Sequence, residues 1–168
     1  SGKRPVNALR LEALNVWFDL PAGGRLHAVQ SVSFAVGGGQ LLGLVGESGC
    51  GKSTAMLAVM GLLPPAATVA GRVTVGGTEI LEGGERGIRR HRWVDLAIVF
   101  QGAMNAFNPV QTVGRQIVEP MELHGVARGA EARRRTEELL VTVGVAPTTR
   151  LSYPHELSGG TRQRVALA

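Results

Sequence analysis

Short apolar segments separated by glycine and proline dominate the first hundred residues, and their pattern predicts strands. Residues 9–20 alternate loosely between apolar and polar positions, and residues 27–36 repeat that alternation, which is typical of strands with one buried face. The runs 40–45 and 94–100 are almost continuously apolar, as expected of strands buried on both faces. Residues 71–75 add one more short strand.

Helical periodicity takes over in the second part of the chain. The first part of the chain also contains two predicted helices. Apolar positions at helical spacing predict a buried helix over 52–63, stopped by the proline pair that follows, and residues 85–92 are predicted to form a short basic helix. The segments 113–124 and 130–143 each place apolar residues on one face and predict two amphipathic helices.

The composition narrows the class of protein. The chain has 168 residues, of which 44% are hydrophobic and 18% charged, so it suits one globular domain or part of a larger one rather than a disordered chain. Its apolar runs are far shorter than the ~20 residues that a membrane-spanning helix needs. A single cysteine, Cys50, excludes an internal disulfide and favours a reducing, cytoplasmic setting.

The net charge of +5 raises the question of nucleic-acid binding. Proteins that bind single strands interleave their basic residues with stacking aromatics. The densest basic stretches, 86–92 and 133–135, contain no aromatic residue. We therefore interpret both as solvated helix faces and expect no nucleic-acid partner, with a surface near anionic lipid headgroups as the alternative.

One glycine-rich segment carries a specific motif. Gly46-Glu47-Ser48-Gly49-Cys50-Gly51-Lys52-Ser53 matches G-x-x-x-x-G-K-[ST] between a predicted strand and a predicted helix. In such a loop the backbone N–H groups point at phosphate oxygens, the lysine faces the β- and γ-phosphates and the hydroxyl ligates Mg²⁺. The alternative is a glycine-rich turn that binds nothing. The predicted ATP contacts here are Gly46, Glu47, Ser48, Gly49, Cys50, Gly51, Lys52, Ser53 and Thr54.

A second motif near the end of the chain identifies a family. Leu157-Ser158-Gly159-Gly160-Thr161 resembles the LSGGQ signature of the ATP-binding cassette (ABC) family, with Thr161 where glutamine is commonest. Residues 98–101 resemble the Q-loop of that family, a strand that ends in Gln101. All three motifs occur in the order that the family has.

Two further segments are similar to one branch of that family, the dipeptide and oligopeptide importers. These are residues 101–109 in the Q-loop region and residues 153–158 before the signature. The chain departs from the branch at Gly102-Ala103, where Asp-Pro is usual, and at Phe107, where leucine is usual. Nickel importers share this branch, so the cargo stays open.

The resemblance implies an α/β fold. It is that of a P-loop NTPase, an ABC cassette with an antiparallel β part and a helical subdomain. The implied organisation is a core with its β subdomain over 1–101, a helical subdomain over 102–157, and the signature with the start of the next helix over 158–168. The boundary between the strand-rich and helical parts falls near residue 102.

The resemblance also implies roles for particular residues. Lys52 and Gln101 are implied to be catalytic, with Ser53 and Gln101 at the Mg²⁺ ion. Phe18 is implied to stack on adenine, and Trp17 is the alternative because strand alternation sends only one of the two rings each way. Ser158, Gly159 and Gly160 are implied to contact the γ-phosphate of ATP bound to a second cassette.

The implied function is that of an ATP-binding subunit that couples ATP binding and hydrolysis to peptide import. Its implied partners are a second cassette, identical or not, transmembrane permease subunits and, through them, an extracytoplasmic substrate-binding protein. The implied location is peripheral, at the cytoplasmic face of the membrane. The alternatives are a soluble ABC-type ATPase and an inactive cassette fragment. The 57 positions between Gln101 and Ser158 hold no coiled-coil tract of the kind that repair ATPases carry, which favours a transporter.

Hydrolysis in this family uses an apolar strand that ends in Asp-Glu, and the chain has no such run. Its aspartates are Asp19 and Asp95, and Asp95 precedes an apolar segment rather than following one. We therefore expect a truncated cassette with negligible ATPase of its own and an active parent protein. Its two buried-type strands would lack neighbours, so we also expect poor folding of the isolated chain.

Overall fold

The computed structural model describes residues 7–100 and 107–168. They belong to two compact units, Ser1–Ala97 and Ile98–Ala168. The domain boundary near residue 102 stays a prediction.

The first unit contains an antiparallel sheet with strand order β2-β1-β3-β4. Its strands are β1 (Asn7–Asp19), β2 (Arg25–Gly37), β3 (Ala67–Val75) and β4 (Thr78–Glu79). The alternation that predicted strands over 9–20 and 27–36 is confirmed, because one face of each strand packs on the core. The short strand expected over 71–75 is the second half of the longer β3.

The pairing of β1 with β2 shifts register at four places, one of which is a bulge in β1. Between the pairs Leu11–Phe34 and Leu14–Val32, β1 advances by one residue more than β2, which lets both leucines face the core. Ala13, at the bulge, has φ 46°. The Asn15 side chain supports this geometry: its Nδ2 donates to Ala13 O at 2.7 Å, and its Oδ1 accepts from the backbone N of Ser31 at 3.0 Å.

The helix α1 (Lys52–Met60) packs Ala55, Ala58 and Val59 against the buried residues of the sheet. It ends earlier than predicted. Gly61 adopts φ 61° and closes the helix, with Leu62 N donating to Leu57 O at 2.9 Å. The prediction that the prolines at 64 and 65 stop this helix is therefore wrong, because the glycine cap ends it first.

Arg92 holds the C-terminal end of α1 from another segment. Its Nε donates to Met60 O at 2.8 Å and its Nη2 donates to Gly61 O at 2.7 Å. The short helix α2 (Gly84–Arg89) precedes it and buries Ile88. The basic helix predicted over 85–92 is thus confirmed in a shorter form. Arg92, which follows α2, binds the last carbonyl groups of α1 instead of continuing the helix.

The strands predicted over 40–45 and 94–100 are wrong. Neither segment pairs with a strand in the part of the chain that the structure describes, apart from an isolated bridge between Arg92 and Leu96. Leu41 is 100% exposed and Val45 96% exposed. A strand buried on both faces needs hydrogen-bonded neighbours and covering elements, and the four-stranded sheet supplies neither to these segments.

The second unit is helical. From residue 107 onward it comprises α3 (Val113–Leu123), α4 (Gly129–Thr142), the 3-10 turns Pro147–Leu151 and Pro154–Glu156, and α5 (Gly159–Val165). The helices predicted over 113–124 and 130–143 are confirmed, since their apolar faces meet in one core. That core consists of Val113, Ile117, Leu140, Val145 and Val165. Across the described ranges 7–100 and 107–168, no helix combines the length and apolar character needed to cross a membrane.

Ion pairs along α4 predict a pH-dependent stability. The Arg135 and Arg134 guanidiniums that hydrogen-bond its carboxylate hold the pKa of Glu131 below its usual value. A carboxyl group with a lowered pKa stabilises the fold above its unfolded pKa, and this contribution disappears as the pH falls through the folded value. Glu131→Gln is therefore expected to lower the thermal midpoint slightly at about pH 7 and to match the wild type at about pH 3. Melting curves at both pH values test this, and an equal difference at both would contradict it.

Candidate functional site

The glycine-rich loop predicted to bind phosphate leads directly into α1. Its last residue, Gly51, has φ 89° and is the N-cap of the helix. A Cβ atom at this position would lie 2.5 Å from Ala28 O and 3.3 Å from the Val29 side chain. Strand β2 therefore lies directly against the end of the loop, and only a residue without a side chain fits at position 51.

The loop wraps around the ammonium group of Lys52. Nζ donates to Gly46 O at 2.7 Å and to Glu47 O at 2.5 Å, and lies 3.3 Å from Cys50 Sγ. A Cβ atom on Gly46 would lie 2.8 Å from Cys50 Sγ and 3.9 Å from Lys52 Nζ, so it would fill the inside of the loop. The absence of a side chain at Gly46 keeps this space open beside the ammonium group.

The start of α1 offers backbone donors beside that space. Within the described residues, no side chain caps the N terminus of this helix. The first N–H groups of a helix lack intrahelical partners and carry the positive end of its dipole, which suits an anion. Ser53 is exposed on the first turn, and Thr54 is half-buried.

These features fit a nucleotide triphosphate with its metal ion. Uncapped helix N–H groups and a lysine ammonium present two kinds of donor to phosphate oxygens, beside the space that Gly46 leaves open. The exposed Ser53 hydroxyl is the type of hard oxygen ligand that Mg²⁺ accepts alongside phosphates. The predicted residues from Gly46 to Thr54 are thus adjacent in space as well as in sequence.

The two candidate adenine-stacking rings have different surroundings. Phe18 is half-buried and packs against the same core as α1. Trp17 stacks on His27, with ring centroids 4.7 Å apart, and the Arg25 guanidinium lies 5.3 Å from the Trp17 ring centroid. Phe18 is therefore on the face of the sheet that carries α1. The Trp17 ring, in contrast, already contacts His27 and Arg25.

The signature motif forms the start of α5. Ser158 is its N-cap, and the Ser158 hydroxyl accepts from Thr161 N at 3.2 Å and lies 2.8 Å from Thr161 Oγ1. Ser158, Gly159 and Gly160 are all exposed. A Cβ atom on Gly160 would meet nothing within 4 Å, so the packing of this chain does not require glycine there.

Gln101, predicted at the end of the Q-loop strand, lies outside the described residues. The contact of the Ala28 carbonyl with the end of the loop could not be predicted from the sequence. No sequence signal marks it, because the contact is made by a backbone carbonyl and any residue type supplies one.

The chain is similar to a protein family and to several curated proteins. A family model described as ABC transporter matches residues 29–168. The chain is 47% identical over 146 residues to a probable peptide ABC transporter ATP-binding protein of Sinorhizobium fredii, covering 84% of this chain and 44% of that protein. It is 47% identical over 149 residues to an oligopeptide transport ATP-binding protein of Mycobacterium tuberculosis, covering 87% of this chain and 24% of that protein.

A further relative is a dipeptide transport ATP-binding protein of Bacillus subtilis. The chain is 39% identical to it over 150 residues, covering 87% of this chain and 45% of that protein. The chain thus spans less than half the length of each of these relatives.

Proposed function

The chain belongs to the ABC transporter family, and on that premise we propose that it is part of the ATP-binding subunit of a peptide importer. The subunit couples ATP binding and hydrolysis to uptake. The peptide cargo is supported by the names of the relatives, which are peptide, oligopeptide and dipeptide transport proteins.

ATP binding is supported chiefly by the position of the Lys52 ammonium group. Nζ lies inside the loop against Gly46 O and Glu47 O, at the start of an uncapped helix in the described structure. Phosphate oxygens carry more negative charge than carbonyl oxygens and form stronger charge-assisted hydrogen bonds with an ammonium group. A triphosphate is therefore expected to draw Lys52 away from its carbonyl partners and toward the β- and γ-phosphates.

We propose that Ser53 and Gln101 would hold a Mg²⁺ ion, which would supply positive charge against the negative charge that develops in phosphoryl transfer. Ser53 presents its hydroxyl on the first turn of α1. Lys52 holds the phosphate tail, and Phe18 holds the adenine ring from the face of the sheet that carries α1.

We propose that hydrolysis in the parent protein uses an Asp-Glu pair outside the 168 residues. The chain contains no apolar run that ends in this pair. By this proposal the chain by itself lacks the groups that orient water, and its own ATPase rate is negligible.

The signature acts on a second cassette. Ser158 and Gly160 are exposed, and the space around Gly160 is open, which leaves room for a phosphate group and a partner's loop. Two cassettes pair head-to-tail, and each signature closes the other's ATP site. Permease subunits and, through them, an extracytoplasmic substrate-binding protein complete the transporter, with the cassettes at the cytoplasmic face of the membrane.

Uptake by the reconstituted transporter tests the proposal. Proteoliposomes with full-length protein, its permeases and the substrate-binding protein are expected to accumulate a labelled dipeptide only when ATP and Mg²⁺ are present. Uptake of Ni²⁺ without peptide uptake would contradict the peptide cargo. ATPase activity that is indifferent to the permeases would favour a soluble ATPase instead.

The signature residues are expected to control ATP-dependent pairing. Gly160→Ala should weaken dimerisation of the full-length protein with a non-hydrolysable ATP analogue by at least about tenfold, because the added methyl enters the space that the phosphate needs. Its melting temperature without nucleotide should not fall, since the Cβ atom meets nothing within 4 Å and alanine favours a helix more than glycine does. Analytical ultracentrifugation measures the pairing.

Two variants sharpen this test. Thr161→Gln introduces the commonest residue of the family and should keep the dimer. Ser158→Ala should weaken pairing and also lower stability slightly, because it removes the cap of α5. Normal pairing by Gly160→Ala would show that the signature does not contact a partner's nucleotide.

A further inference from the structure

A surface next to α2 combines unpaired arginines with exposed apolar side chains. It consists of Leu62, Arg86, Arg89, Arg90, Trp93 and Val94 and is called the Trp93 patch below. Trp93 is 66% exposed, Val94 62% and Leu62 41%. The three arginines are exposed, and within the described residues none of them forms an ion pair.

Arg92 links the segment that carries Trp93 to the end of α1 that carries Leu62. The Arg92 side chain donates to Met60 O and Gly61 O, and Leu62 follows directly on that end of α1. Trp93 follows Arg92 in the chain. Leu62 and Trp93 are therefore each one residue away from a group in this anchored contact, Leu62 from Gly61 and Trp93 from Arg92.

Trp93 is held in an unusual backbone conformation. It has φ 66°, a region that bulky residues rarely adopt. Trp93 N donates to Leu96 O at 2.8 Å, and His91 O accepts from Leu96 N at 2.9 Å. The His91 Nδ1 atom lies 2.6 Å from Asp95 Oδ2 and closes the same turn. A strained backbone thus holds a tryptophan that is 66% exposed.

The charges along α2 are separated. Glu82 and Glu85 lie at or before its first turn, whereas Arg89 and Arg90 lie at its last turn and C-cap, next to Trp93. The positive end of the segment is therefore the end that carries the apolar side chains.

We propose that the Trp93 patch binds the surface of an anionic phospholipid bilayer. Tryptophan favours the interface between lipid headgroups and acyl chains, and arginines next to it are attracted by anionic headgroups. Three exposed apolar side chains fit shallow insertion into that interface better than they fit a nucleic acid, whose binding surfaces are more polar. The inference goes beyond the proposed function and does not depend on ATP binding, although a subunit at the membrane face would place the patch within reach of lipid.

Vesicle flotation with the full-length protein tests the charge requirement. We expect binding to phosphatidylglycerol vesicles and not to phosphatidylcholine vesicles. The double variant Arg89→Glu/Arg90→Glu should lose at least about tenfold in affinity for phosphatidylglycerol. The matched control Arg128→Glu/Arg133→Glu makes the same charge change at exposed positions of the helical unit and should bind as the wild type does.

Tryptophan fluorescence tests the insertion. In a variant whose other tryptophans, including Trp17, are replaced by phenylalanine, Trp93 emission should shift to shorter wavelength with phosphatidylglycerol vesicles. Trp93→Ala should lower the affinity several-fold without any change in charge. An ATP-induced rise in melting temperature, kept by every variant, shows that each is folded and separates a failure here from a failure of the proposed function.

Three results would overturn the proposal. The first is equal loss of vesicle binding in the Arg128/Arg133 control, which would mean that only total charge matters. The second is Trp93 emission that is already blue-shifted without vesicles, which would mean that a protein segment covers the patch. The third is loss of single-stranded DNA binding but not of vesicle binding in the Arg89/Arg90 variant, which would assign the patch to nucleic acid.

Discussion

Lys52→Ala in the full-length protein is expected to lower the ATPase rate by at least about 100-fold, the usual effect of removing one positioned electrostatic group. Lys52 is the cation that the loop surrounds, with Nζ against Gly46 O and Glu47 O. The rise in melting temperature that ATP and Mg²⁺ produce in the wild type should disappear with it. Steady-state phosphate release and thermal unfolding with and without nucleotide measure the two effects.

Lys52→Arg tests whether position or charge matters. It keeps the positive charge, but the broader, planar guanidinium group does not fit where the carbonyl oxygens lie 2.7 and 2.5 Å from a compact ammonium group. We expect it to fail nearly as completely as the alanine variant. Arg135→Ala, which removes one cation from the exposed face of α4, should bind ATP normally. An alanine variant of Lys52 that still gained stability from ATP would contradict the assigned site.

Gly71→Ala is expected to lower the free energy of unfolding by about 3 kcal/mol, the sum of a strained backbone and an overpacked contact. Gly71 has φ 110°, and a Cβ atom there would lie 2.4 Å from Ala13 O at the bulge of β1. Neither backbone can yield easily, because Ala13 O also accepts a hydrogen bond from the Asn15 side chain. Chemical denaturation of the wild type and the variant measures the difference.

Gly77→Ala separates the two contributions to that loss. Gly77 has φ 91°, but a Cβ atom there would meet nothing within 4 Å. The variant should therefore lose only the conformational part, about 1 kcal/mol. Equal losses of unfolding free energy at the two positions would show that the close approach of Ala13 O to Gly71 adds nothing to the cost.

The two motifs that the family requires could be predicted from the sequence because they are local. The P-loop occupies eight consecutive residues, and the signature residues cap a helix that begins within the motif. Periodicity was also sufficient to predict two strands and two helices, namely β1, β2, α3 and α4. Each of these elements buries its own apolar positions against its nearest neighbours.

The two strand predictions that were wrong concern residues whose partners are distant in sequence. The runs 40–45 and 94–100 have the composition of buried strands, but a strand forms only where another strand offers hydrogen bonds. The end of α1 was placed too late for a different reason, because Gly61 closes the helix through local hydrogen bonds to Ala58 O and Leu57 O. Only the support by Arg92 is a contact across the fold.

The sequence by itself determined which residues we propose for phosphate binding, because that chemistry needs particular residue types at fixed spacing along one loop. Only the tertiary structure decided which backbone carbonyl lies against the end of that loop and where β1 bulges toward β3. The contact of Gly51 with Ala28 O and the contact that a side chain at Gly71 would make with Ala13 O are set by backbone carbonyls. Every residue carries such a carbonyl, so no side-chain pattern could reveal which ones come close.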